Sequence, residues 1–91
     1  MPASLHTAAA DFLAEEIIKR RKAAGLTQRQ LAAALGREQN FVARLETRER
    51  RIDLVELIQI LRVLGTDPER DLAIIARQLL PLVQKPKKRA N

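Results

Sequence analysis

The residues of this chain best suited to chemistry are Gln39, Asn40, Ala43 and Arg44. Their spacing, i, i+1, i+4 and i+5, puts them on one face of any helix that carries them, and Arg48 extends that face by a further turn. Primary amides can pair bidentately with the N6/N7 edge of adenine and a guanidinium with O6/N7 of guanine, while a small methyl side chain can lie against a thymine methyl. Taken alone, two amides and a guanidinium describe an ordinary solvated helix face. The surroundings reverse that reading, because residues 19–51 carry ten Lys/Arg against three Glu.

The distribution of charge says what such a face would meet. The 91 residues hold 17 Lys+Arg and 11 Asp+Glu, a net charge of +6, so the expected partner is polyanionic, nucleic acid ahead of an anionic membrane surface. Residues 1–18 sum to −3, residues 19–51 to +7, residues 52–84 to −2 and residues 85–91 to +4. The last block contains Lys85-Pro86-Lys87-Lys88-Arg89 without an apolar anchor, and reads as a disordered basic tail beyond a folded unit of residues 1–84. A membrane-surface binder is disfavoured because the positive block interleaves with globular helices instead of forming one amphipathic face. No apolar run approaches the roughly 18 residues of a membrane span. The first residues lack the basic start and apolar middle of a signal peptide, so a cytoplasmic location is expected.

Most enzyme classes find no support. There is no Cys, hence no thiol nucleophile, disulfide or Cys-ligated metal, and His6 is the single histidine, which reads as a solvent-exposed bystander. No P-loop, paired catalytic carboxylates or metal-ligand cluster is evident, so neither metal nor cofactor is expected.

The elements that must position the polar face are legible from their start and stop signals. A first helix is expected over about 7–24, with Ala8, Ala9, Ala10, Phe12, Leu13 and Ile17 on its apolar side, cations in its last turns and Gly25 after it. A second, barely two turns long, opens with Thr27 as cap, Gln30 as its reciprocal partner and Leu26 with Leu31 as a hydrophobic staple, and stops at Gly36. The third should run from Glu38 or Gln39 to about Thr47, with Val42 and Leu45 inward and Phe41 packing against the second helix. Asp53 and Glu56 frame the start of a fourth, whose expected core stripe is Leu54, Leu57, Ile58, Leu61 and Leu64, ending at Gly65. A fifth begins with Asp67-Pro68, carries Leu72, Ile75, Ala76 and Leu79, and ends or kinks near Leu80-Pro81. No strand signal and no repeat appear, and the fold class is all-α. A two-turn helix, a glycine-containing turn and a polar-faced helix over about 27–47 form a helix-turn-helix.

The series Arg21-Lys22-Ala23-Ala24-Gly25-Leu26-Thr27-Gln28-Arg29-Gln30-Leu31-Ala32, then Leu35-Gly36, Phe41-Val42-Ala43-Arg44-Leu45-Glu46 and the run from Leu57 to Gly65, resembles the lambda-repressor-like, or Xre-type, helix-turn-helix family over roughly residues 12–67. The resemblance implies a five-helix DNA-binding domain. It implies that Gln39, Asn40, Ala43 and Arg44 read base edges from the third helix, and that Gln28 meets a phosphate at the start of the second. Thr27, Arg29, Arg37, Arg48, Arg50 and Arg51 join Gln28 as phosphate candidates. Arg21 and Glu46 match a family pair tying the end of the first helix to the end of the third. The chain departs from the family pattern at Glu38, where relatives often have a Ser or Thr cap, and at Arg48, where many have glycine.

Apolar residues exceed what one core stripe per helix needs. Val55, Ile60, Val63, Ile74 and Leu79 are therefore expected at a homodimer interface, which would let two third helices read a pseudo-palindrome in successive major grooves. The expected function is a sequence-specific, double-stranded-DNA-binding transcriptional regulator, similar in size to restriction-modification controllers or phage repressors. Control would come from concentration, dimerisation or a protein partner. The competing reading is an antitoxin or adaptor whose main partner is another protein.

Overall fold

Each helix of the computed structural model, which describes residues 7–65 and 67–83, starts at a residue with extended backbone. The expectations for His6 and for the tail at 85–91 lie outside the described residues. Among the described residues five α-helices follow in order: α1 (Ala8–Ala23), α2 (Gln28–Ala34), α3 (Gln39–Glu46), α4 (Leu54–Val63) and α5 (Pro68–Leu79), with a 3-10 turn at Leu80–Leu82. No strand occurs among the described residues.

The caps explain the boundaries. Thr7 accepts from the Ala10 amide at 3.1 Å, Thr27 from Gln30 at 3.0 Å and Asp53 from Glu56 at 2.7 Å. Gln30 and Glu56 return the bond to the cap amides, completing two capping boxes. Asp67 caps α5 with Pro68 behind it, where the missing N–H costs nothing. Glu38 makes no side-chain cap bond, so α3 begins with its first amides unsatisfied by a side chain.

The turn between α2 and α3 is a Schellman closure. The Arg37 amide reaches Ala32 O at 2.9 Å and the Gly36 amide reaches Ala33 O at 3.0 Å, with Gly36 at φ +70°. The same pair of bonds closes α3, from Glu49 to Arg44 O and from Arg48 to Leu45 O. There the left-handed seat belongs to Arg48, at φ +65°. An arginine therefore keeps a backbone path that glycine takes with less steric strain.

The core joins four helices through Ile17, Leu31, Ala32, Phe41, Val42, Leu45, Ile60 and Leu64, and a smaller cluster of Leu57, Leu61 and Ile75 seats α5. Leu13 and Ile52 pack against both. On α4 the seam differs from the expected stripe. Ile60 is 1% exposed and central to the core, whereas Leu54 is 61% exposed. The buried positions 57, 60, 61 and 64 share one face; Leu54, the first helical residue, falls about 70° off its centre at 100° per residue. Ile60 is thus corrected from interface to core. Val63 and Leu79 are half-buried against the chain's own core, which leaves Val55 and Ile74 as the open members of that set.

Candidate nucleic-acid interface

α3 divides its residues cleanly. Phe41, Val42, Leu45 and Glu46 are buried, while Gln39, Asn40 and Arg44 are exposed and Ala43 is half-buried beside them. The four candidate base-reading residues thus share the outer face of a helix whose inner face is fixed by packing.

The inner face is also fixed electrostatically. Arg21 donates to both oxygens of Glu46, Nε to Oε2 at 2.6 Å and Nη2 to Oε1 at 3.0 Å, and its Nη1 donates to Leu26 O at 2.8 Å. Gln28 Nε2 adds a third bond to Glu46, at 2.8 Å to Oε1. One buried carboxylate therefore holds the end of α1, the start of α2 and the end of α3. Because both charges are buried and hydrogen-bonded, removing either partner would strand the other in a medium that solvates it poorly. Sequence reasoning placed Gln28 at a phosphate. In the structure one of its amide hydrogens is committed to Glu46, and its carboxamide is oriented at the first residue of α2.

The arginines sort into three settings. Arg37 and Arg50 stand over the Phe41 ring, with guanidinium carbons 3.8 and 4.8 Å from its centroid. Both also approach Glu56. Arg50 does so bidentately at 2.8 and 2.7 Å, and Arg37 at 3.7 Å. The hydrogen bonds from Arg50 hold the Glu56 carboxyl below its ordinary range against the opposing effect of burial, with the Asp53 amide and the nearby positive charges adding to them. The same bonds raise the Arg50 guanidinium. Arg48 turns the other way and meets Asp11 of α1, Nε to Oδ1 at 2.8 Å. Arg29, Arg44 and Arg51 are exposed.

The roles of Phe41, Glu56 and Asp11 in this arrangement were not legible from sequence. Glu56 reads there as a capping residue alone, and its bond to Arg50 reaches back six positions, from α4 into the loop before it. The spacing of Arg37 to Phe41, four apart, was the one available hint of their contact.

Away from this face, Arg20 bridges α1 to α5. It takes Glu16 at 3.1 Å and the buried Asp71 at 3.3 Å, and Lys19 also reaches Glu16 at 2.8 Å. Burial, the largest single influence on Glu16, pushes its carboxyl up, but the bonds and charges of Lys19 and Arg20 outweigh it and leave the group lowered. No cluster of potential metal ligands occurs among the described residues, and no described helix is long and apolar enough to cross a membrane.

The arrangement matches known proteins. A family model described as a helix-turn-helix domain matches residues 13–73. An XRE-family-like protein from Pseudomonas syringae pv. tomato superposes with a TM-score of 0.71 at 41% identity, covering 78% of this chain and 87% of that one. The clp gene regulator ClgR from Corynebacterium glutamicum superposes with a TM-score of 0.65 at 21% identity over 78% of this chain and 76% of its own, a likeness of fold. No curated protein matches the chain. With the family model spanning most of the chain and a solved relative sharing two residues in five, the chain belongs to the XRE-type helix-turn-helix family of DNA-binding transcription regulators.

Proposed function

We propose that the protein is a sequence-specific regulator that binds double-stranded DNA as a homodimer, with α3 in the major groove of each half-site. The observation that carries this reading is the outer face of α3. Gln39, Asn40 and Arg44 stand exposed there around Ala43, on a helix held from behind by the Arg21–Glu46–Gln28 array. In this reading Arg44 pairs with a guanine edge and the two amides with adenines. Thr27, Gln28 and Arg29 at the start of α2 take phosphate on one side, with Arg37, Arg48, Arg50 and Arg51 on the other. Val55 and Ile74, exposed on α4 and α5, supply apolar surface for the second subunit. A twofold dimer would set the two α3 helices about 34 Å apart.

Selection of bound fragments from random duplex DNA tests the whole reading at once. Enrichment of a pseudo-palindrome with half-sites about 10 base pairs apart is the expected result. Recovery of fragments with no common motif would reject sequence-specific recognition.

A further inference from the structure

A half-open groove of about 260 Å³ lies between α1, the end of α5 and the loop that follows α3. Its floor is aliphatic, built from Leu13, Ile17, Leu45, Ile52 and Leu79. Three arginines of the loop, Arg48, Arg50 and Arg51, also line it, and among the described residues no carboxylate does.

Two of those three charges are answered inside the protein. Arg48 meets Asp11 at 2.8 Å and Arg50 meets Glu56 bidentately. Arg51 is exposed, and among the described residues it pairs with no carboxylate. An apolar floor with one lining arginine that pairs with no carboxylate among the described residues is complementary to an apolar body carrying a single negative head. The size selects a small molecule, since the volume lies just below that of ordinary ligand pockets, roughly 300–1,000 Å³. The basic segment at 85–91 does not match, because it brings +4 to a positive rim and offers no large apolar side chain.

We propose that this groove binds a small aliphatic monocarboxylate, its chain on the Leu13–Ile52–Leu79 floor and its head on Arg51. Arg51 is also one of the phosphate candidates, so carboxylate and DNA would draw on the same guanidinium and each would weaken the other reciprocally. This second step rests on the DNA-binding reading, whereas binding in the groove does not.

Titration of the full chain with octanoate, octan-1-ol and octylammonium, followed by calorimetry, tests the site. Octanoate is expected to bind saturably, one per chain and about tenfold tighter than the alcohol, the increment of one charge-assisted hydrogen bond. Octylammonium should bind more weakly than either. Arg51→Gln should remove the tenfold preference and leave the weak alcohol binding in place. Ala10→Phe, which fills the groove from α1, should abolish binding of all three with an unchanged circular-dichroism spectrum. Octanoate binding no tighter than octanol, or no saturable binding, would overturn the proposal. So would binding that appears only after residues 1–6 are removed, which assigns the groove to the chain's own start, or an Ala10→Phe change that turns a dimer into a monomer, which assigns it to a second copy. Saturating octanoate should lower affinity for a selected duplex about tenfold. A chain that binds octanoate as expected but selects no DNA motif would remove the functional reading and leave the groove standing.

Discussion

Gln28 and Glu46, eighteen positions apart, are joined by a 2.8 Å hydrogen bond whose acceptor oxygen also takes Arg21 Nη2. The start of α2 and the end of α3 therefore share one polar anchor, a single carboxylate that adds to the packing of Leu31 and Ala32 against Phe41, Val42 and Leu45. Glu46→Ala leaves the Arg21 guanidinium buried and unpaired, and should cost about 3–5 kcal/mol of stability, a large part of the total for a domain of this size. Gln28→Ala removes one bond to a charged group and should cost about 1.5–3 kcal/mol. Urea unfolding followed by circular dichroism orders the two. Equal midpoints for Glu46→Ala and Gln28→Ala would show that the ion pair contributes nothing beyond the amide contact.

Arg44 has a different expected phenotype because it stands on the exposed face of α3. Arg44→Ala should leave stability within about 0.5 kcal/mol. It should weaken binding to the selected duplex by about 1–3 kcal/mol and relax preference at one base pair. Binding to a scrambled duplex, measured in parallel at the same salt, distinguishes base reading from phosphate contact, since a lost phosphate contact would weaken both duplexes alike.

Acid should loosen the arginine cluster. Glu56 and Glu16 are both held below the ordinary carboxyl value of 4.5, Glu56 chiefly by its bonds from Arg50, and Glu16 because Lys19 and Arg20 outweigh the upward push of burial. A carboxyl lowered in the folded state contributes stability that is fully present above the unfolded value and lost as pH falls through the folded one. Glu56→Gln keeps a residue competent for the capping box and removes only the charge. The variant should be less stable than the parent near neutral pH, and its melting temperature should fall less as pH drops from the ordinary carboxyl value of 4.5 downward. Parallel melting curves for the two proteins would contradict this assignment.

Arg48 sits at φ +65° with its side chain on Asp11. Arg48→Gly relieves the left-handed strain but loses a half-buried ion pair and gains unfolded-state freedom, so the net change should be within about 1 kcal/mol. Arg48→Val places a β-branched side chain in the same seat and should cost about 1–2 kcal/mol more. For a domain of this size each kcal/mol appears as about 4–8 °C in Tm. Equal melting temperatures would mean that the turn reorganises.

Two isoleucines separate the proposed interface from the core. Ile74 is 41% exposed and Ile60 is 1% exposed. Ile74→Asp should shift sedimentation from dimer to monomer with little change in helicity, whereas Ile60→Asp buries a charge and should unfold the chain. A dimeric Ile74→Asp variant would place the subunit contact on another surface.

Helix starts and stops were legible because they are local: Thr27 with Gln30, Asp53 with Glu56, and Asp67 with the Arg70 amide act over three positions, within which side chain and backbone bond directly. The polar face of α3 was legible for the same reason, through its period. What escaped depends on which helix lies opposite. The choice of Ile60 over Leu54 for the core is made by neighbours on other helices, and an apolar residue on an apolar helix carries no mark of that choice. The contacts of Arg50 with Glu56 and of Arg48 with Asp11 form across loops, where side-chain reach, not spacing, decides the partner.

The separation of duties along α3 has a further consequence for how such a chain can diverge. Phe41, Val42, Leu45 and Glu46 carry the packing and the anchor, and Gln39, Asn40 and Arg44 carry none of it. Exchanges at those three outward positions should each change stability by less than about 0.5 kcal/mol, as for surface positions in general. If these positions read DNA as proposed, target preference can be rewritten codon by codon without passing through unfolded intermediates, and paralogues can acquire separate targets while inheriting one unaltered scaffold.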